Sequence, residues 1–250
     1  MEVYVKPHEP RYWVMMISAI LLGYLLVKLF DRIPKEKKSR SLKVLGLCMI
    51  LLHGYIPVSQ ILDPDYAFSV HRNLPLHFCA LNFWLIAFNC FIRSRILFIF
   101  TIFMGFIGCL HSFLTPLLFV GDSLPLVVHY TIVHSSLVSV PVIMMRHFNM
   151  EIKKYDWIRA FGFDFTISAI MIGVNYLLNT YVDNPLSDPA NYMYVSEMPN
   201  VDNPLLPKSF SWPMSLIPLY TILAAHILVV NRFILWRLGV KVNSFKEFFH

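Results

Sequence analysis

Residues 13–30 read WVMMISAILLGYLLVKLF, and residues 31–43 that follow read DRIPKEKKSRSLK. The first stretch is long enough to cross a hydrocarbon core of ~30 Å as a helix rising ~1.5 Å per residue. The second crowds Arg32, Lys35, Lys37, Lys38, Arg40 and Lys43 into one short loop, which is how a cytosolic loop between spans reads. The alternation repeats to the C-terminus. Further apolar runs at 44–62, 74–92, 96–116, 126–145, 160–181 and 214–236 predict an all-α, polytopic membrane protein of about seven transmembrane helices. No repeat or low-complexity stretch divides the chain, so one helical-bundle domain over 1–250 is expected.

The basic residues set the orientation. Arg93, Arg95, Arg146, Lys153, Lys154, Arg159, Arg237, Lys241 and Lys246 fall on the same side as 31–43, whereas only Lys6, Arg11, Arg72 and Lys208 fall opposite. The richer side is the cytosolic one, which puts the N-terminus outside and the C-terminus in the cytosol. The other side is acidic (Asp63, Asp65, Asp122, Asp183, Asp188, Glu197, Asp202). Its longest loop, 182–213, carries Pro185, Pro189, Pro199, Pro204, Pro207 and Pro213 with Tyr192, Tyr194 and Trp212, and reads as a partly ordered lid.

Composition agrees. The chain is 57% hydrophobic and 14% charged, against about a quarter charged in a soluble domain. The net charge of +6 belongs to loops that face headgroups, so membrane phospholipids are the expected partners and nucleic acid is not. No cleavable leader is expected, because Glu2, Lys6, Glu9 and Arg11 precede the first run and no small-residue cleavage site follows it. Cys48, Cys79, Cys90 and Cys109 all lie within apolar runs, which argues for thiols over disulfides.

Polar side chains inside spans are costly and turn towards the bundle interior or a wet cavity. His53, His77, His111, His129, His134, Cys79, Asn175 and Asn179 converge on the outer half of the bundle. Tyr130 and His134 are four apart, as are His111 and Thr115, and Asn175 and Asn179, so each pair shares a helical face. Cys79 and Asn82 begin a polar stripe on the third span. His129 and His134, five apart, point in different directions and are not expected to serve one site. A thiol is a useful nucleophile as thiolate, and a neighbouring imidazole can take its proton. Cys79 and His134 lie at similar depth and form such a pair near the headgroup level. A zinc site built from the histidines is the rival chemistry. No H-E-x-x-H or H-x-x-E-H spacing and no accompanying carboxylate support it, so no metal and no cofactor is expected.

Three short motifs carry a family resemblance. Leu74-Pro75-Leu76-His77-Phe78-Cys79 resembles the LPLH-x-C opening of a span in the YwaF-type bacterial membrane proteins. Tyr130-x-x-x-His134 resembles that family's histidine-bearing span. Asn191-Tyr192-Met193-Tyr194, with Pro199 and Trp212-Pro213, resembles its outer-loop pattern. The matches occur in the family's order and cover 74–213. That family is related to vertebrate transmembrane protein 164, a phospholipid acyltransferase with a cysteine nucleophile and a histidine partner. The resemblance implies Cys79 and His134 in those roles. His77, Asn82, His111, His129, Tyr130 and Asn175 would then contact substrate or support the pair. This chain departs from the pattern at Ala80, where Asp is frequent, and at Ser135, where Gly is frequent. His77 or Asn82 would then orient the cysteine's partner. The resemblance also implies a bacterial plasma membrane, in keeping with the absence of any N-x-S/T sequon. The expectation is a phospholipid acyltransferase or lipid-ester thioesterase working through a cysteine thioester. The alternatives are a non-enzymatic transporter or receptor with a polar outer vestibule, or a structural subunit of a membrane complex.

Overall fold

A computed structural model describes residues 3–63, 66, 68–118, 121, 123–184, 188–197 and 210–238. Asp65, Asp122, Pro185, Pro199, Asp202, Pro204, Pro207, Lys208, Lys241 and Lys246 lie outside them. The elements run α1 (Pro10–Asp31), α2 (Lys35–Leu62), α3 (Phe78–Ile92), α4 (Arg95–Leu114), α5 (Leu124–His147), α6 (Asp156–Tyr181) and α7 (Leu216–Arg237). A two-residue strand β1 (Val3–Tyr4) pairs antiparallel with β2 (Leu117–Leu118) and ties the N-terminal segment to the α4–α5 connection. Six of the seven helices are long and apolar enough to cross a membrane.

α3 is the exception. The apolar run at 74–92 predicts a full span, yet the helix begins only at Phe78 and has 15 residues. That is ~22 Å at 1.5 Å per residue, short of a ~30 Å core. Pro75 explains the shortfall, because its ring drives Leu74 out of the α region and it brings no N–H. Leu74 and Leu76 are apolar without being helical. Irregular backbone at membrane depth must find its hydrogen bonds within protein, and this connector does. The Tyr192 hydroxyl donates to Val70 O at 2.7 Å and accepts from Leu74 N–H at 3.0 Å. The His71 ring donates from Nε2 to Leu178 O at 3.0 Å, and Asn73 bonds both Ser69 N–H and the Tyr66 hydroxyl.

α4 is the central helix. It touches α3, α5, α6 and α7, and buries Phe98, Ile99, Phe100, Ile102, Phe103, Met104 and Ile107 in one core with Phe83, Ile86, Leu137, Val140 and Ile143. Two glycines set the closest approaches. A Cβ on Gly46 of α2 would come within 2.6 Å of Cys90 Cβ and 2.8 Å of Ala87 O on α3, and one on Gly105 of α4 would collide with the Leu137 carbonyl oxygen of α5. Small residues at crossings let helix backbones approach in this way. The periphery is apolar outward: Trp13, Leu21, Leu25, Leu51, Tyr55, Ile170, Leu177 and Val229 are all exposed. Such a surface is stable against lipid.

One end of the bundle is basic and held by carboxylates. Asp31 pairs with Arg146 at 3.0 Å and His147 at 2.8 Å, and Asp156 pairs with Arg95 at 2.6 Å. α2, α4 and α6 finish at the opposite end, where the functional groups collect.

Candidate functional site

A cavity of about 390 Å³ opens at that opposite end, enclosed by α2 to α7 and the connectors around Arg72, Leu118 and Tyr194. Cys79, His134, His77, His111, His129 and Tyr130 all line it, together with His53, Ser112, Asp164, Ser168, Tyr220 and His226. Its walls between these groups are apolar: Ile56, Ile107, Leu126, Val133, Leu219 and Leu223.

Cys79 is the second residue of α3, after His77 at the N-cap and Phe78. Helix geometry leaves the N–H groups of Phe78, Cys79 and Ala80 without intrahelical carbonyl partners, and the positive end of the helix dipole lies there. The Pro75 break therefore leaves a thiol beside unspent backbone donors. Cys79 Sγ lies 3.5 Å from Ser112 Oγ on α4. A Cβ on Gly108 would stand 3.1 Å from that sulfur, so glycine makes the room in which the thiol sits.

His134 is fixed by its own helix. Its Nδ1 lies 2.8 Å from Tyr130 O. A carbonyl oxygen only accepts, so Nδ1 carries the hydrogen and the neutral ring keeps a lone pair on Nε2. The Tyr130 and His134 rings lie with centroids 4.0 Å apart, and the Tyr130 hydroxyl donates to Ser112 O at 2.8 Å. Ser112 thus touches both Cys79 and Tyr130. Among the described residues the thiol hydrogen-bonds Ser112 and not His134. Cys109 also belongs here, since its thiol donates to the His134 carbonyl at 2.7 Å.

His129 and His134 line the same cavity, against the expectation that they serve separate places. The cavity is wide enough to reach both directions from α5. His129 Nε2 lies 3.4 Å from His53 Nδ1 on α2, with the two rings nearly parallel. His111 packs edge-on against His226 of α7 at 5.2 Å. Among the described residues no group of three or more His, Cys, Asp or Glu could hold a metal ion.

Two of the expected site residues are elsewhere. Asn82 does not line the cavity; it lies between α3 and α4, with Nδ2 3.4 Å from Thr101 O. Asn175 builds the roof. Its amide donates to Tyr192 O at 3.1 Å and Ser196 Oγ at 3.0 Å, and its oxygen accepts Tyr192 N–H at 3.0 Å. Asn179 clasps Ala190 in the same way. The face that the two asparagines share holds the loop. Asn191 Oδ1 accepts the N–H groups of Ser196 and Glu197 and closes a tight turn. Tyr192 is driven fully into the bundle, where His77 packs on its ring at 5.0 Å and on Tyr194 at 5.7 Å. Met193, Tyr194 and Val195 then roof the cavity. Arg72, Tyr220 and His226 escaped the sequence reading. Arg72 was absorbed into the charge pattern, and Tyr220 and His226 sit in an apolar run with no motif to mark them.

The roof gives a direct test. Burial pushes the Tyr192 phenol up from 10.0 to about 12. A raised value means that its contribution is complete below pH 10 and is lost as pH rises towards 12. Hydrogen exchange of 188–197 in the detergent-solubilised protein should therefore stay slow up to about pH 10 and accelerate above it beyond the intrinsic rate. Tyr192→Phe, which forfeits both hydroxyl bonds, should loosen the segment by about 1–2 kcal/mol at neutral pH and remove the alkaline transition. Equal protection in the two proteins would refute the tether.

Fold and site together define an integral membrane helical bundle with a thiol- and imidazole-lined cavity beneath a tyrosine-anchored roof. The chain belongs to the TMEM164 family, whose family model matches residues 4–234. No curated protein and no solved structure matches it.

Proposed function

We propose that this protein is a phospholipid acyltransferase or lipid-ester thioesterase in which Cys79 is the nucleophile and His134 the base. The observation that carries this reading is the cavity-lining Cys79 at the N-terminus of α3, in a cavity shared with an imidazole whose Nε2 lone pair is available. His134 Nε2 takes the thiol proton and the sulfur attacks the ester carbonyl carbon. The oxyanion that forms is stabilised by the α3 N–H groups. The C–O bond of the ester then breaks, and the leaving alkoxide takes the proton from His134, which releases a lysolipid and leaves a thioester. An acceptor hydroxyl, or water, gives its proton to His134 and attacks the thioester; the C–S bond breaks and the thiolate recovers its proton. Proton transfer requires the thiol to exchange its Ser112 contact for a Cys79–His134 hydrogen bond, a rearrangement of the kind that substrate brings about in catalytic groups.

The basic end is the cytosolic end in this reading, so the cavity opens to the outer leaflet. A cysteine placed at Lys38 should react with an impermeant maleimide only from the cytosolic side. Labelling from outside would invert the orientation.

A vestibule for a transported or sensed solute is the second reading, favoured by the Cys79–Ser112 pairing. Reconstitution separates them. Purified protein in vesicles holding a phospholipid with a labelled acyl chain and an unlabelled lysophospholipid should move the label to the acceptor, or release it as free acid. Vesicles in which the label never leaves its donor would leave the vestibule reading standing.

A further inference from the structure

We propose that Arg72 and Gln60 form the anion subsite of the cavity and hold the phosphate of a lipid headgroup; this rests on the reading that the cavity admits a lipid ester. Among the described residues lining the cavity, Arg72 is the one Arg or Lys. It lies on the connector between α2 and α3, five residues before His77 at the N-cap of the helix that carries the thiol. One carboxylate, Asp188, lies 4.0 Å away and is mostly exposed, whereas the Arg72 side chain is 28% exposed. A guanidinium grips a phosphate with two parallel hydrogen bonds, a contact that an open and exposed ion pair of this kind does not match.

Gln60 supplies an independent observation. It lies in the last turn of α2, lines the same cavity and is 7% exposed, yet its buried Nε2 has no hydrogen-bond partner. A buried amide donor without an acceptor carries a substantial penalty, and an anionic oxygen in the cavity removes it. Gln60 is in the last turn of α2 and Arg72 on the connector that follows it, and the same cavity is lined by Cys79 and the apolar Ile107, Val133 and Leu223. A glycerophospholipid offers a partner for each of these groups, with phosphate for the donors, an ester for the thiol and an acyl chain for the apolar wall.

The test is equilibrium binding to the full chain in detergent, read without turnover. Dioleoylphosphatidylglycerol is the probe because the phosphate is its sole charge; dioleoylglycerol and inorganic phosphate are the comparators. The lipid with phosphate should bind at least about tenfold more tightly than dioleoylglycerol, as expected for a charge-assisted bidentate contact. Arg72→Gln should erase most of that difference, Gln60→Leu about a third of it on a logarithmic scale, and Asp188→Asn none. Equal affinity for the two lipids on the unaltered protein overturns the proposal whether or not a variant folds, as does an Arg72→Gln protein that still prefers the phospholipid. Inorganic phosphate that binds through Arg72 while neither lipid does would assign the subsite to the free ion and overturn the headgroup. Phospholipid binding through Arg72 in a protein that transfers no acyl chain would sink the acyltransferase reading and leave this one intact.

Discussion

Cys79→Ala should lower acyl transfer by at least about a thousandfold, the scale on which covalent catalysts lose activity without their nucleophile. The folded protein should hardly notice. One sulfur atom removed from a cavity wall costs about 1 kcal/mol of packing or less, so the melting temperature in detergent should move by only a few degrees. Cys79→Ser should be nearly as inactive, because a hydroxyl is a far weaker acid than a thiol and the same imidazole cannot ionise it. His134→Ala should be inactive as well, and His134→Gln should not restore it, since an amide hydrogen-bonds but takes no proton at neutral pH. Cys48 is exposed on the bundle periphery, and alanine there should leave the rate unchanged. Cys109→Ala should cost a modest factor, because its thiol holds the His134 carbonyl. A Cys79→Ala protein that retains transfer would end the thioester mechanism.

Gly105→Ala should disrupt the fold itself. Pro141 lies within α5, and its missing N–H leaves the carbonyl of Leu137, four residues earlier, without its usual helical partner. That carbonyl points at Gly105, where α4 comes so close that an added Cβ would overlap the oxygen. The glycine Cα–H groups face the oxygen at short range, a weak but favourable contact. A methyl group there strikes backbone that cannot turn aside, so α4 and α5 must part along the most buried interface of the bundle. Overpacking against flexible side chains costs ~1–3 kcal/mol; this substitution should cost more than about 3 kcal/mol and abolish a cooperative melting transition in detergent. Gly162 and Gly173 of α6 meet nothing within 4 Å. Alanine at either should be neutral or stabilise by up to ~1 kcal/mol through helix propensity. Equal tolerance at positions 105 and 162 would show that close α4–α5 packing is not required.

The seven helices were legible because lipid-facing helix surface must be apolar, and each run of Leu, Ile, Val and Phe declares itself in the sequence. The start of α3 was not, since hydropathy scores Leu74 and Leu76 without registering that Pro75 stops the helix between them. Cys79 and His134 were legible as polar groups at one depth, and the cavity does unite them with His77, His111, His129 and Tyr130. What spacing could not convey was direction. Asn175 and Asn179 do share a face, but that face grips the 190–196 segment. The value of Tyr192 emerged only once its hydroxyl was seen between Val70 and Leu74. Ser112, the residue that touches both Cys79 and Tyr130, carried no signal because an isolated serine in a span is usually a filler bonded to its own helix.

The central claim concerns one sulfur atom, and the mass of the peptide that carries it tests the claim most directly. Purified protein is mixed with phospholipid in the absence of acceptor, quenched in acid and digested. The account predicts an acyl adduct on Cys79 that hydroxylamine removes, absent from Cys48 and absent when His134 is replaced by alanine. An unmodified Cys79 in protein that transfers acyl chains at full rate would contradict it.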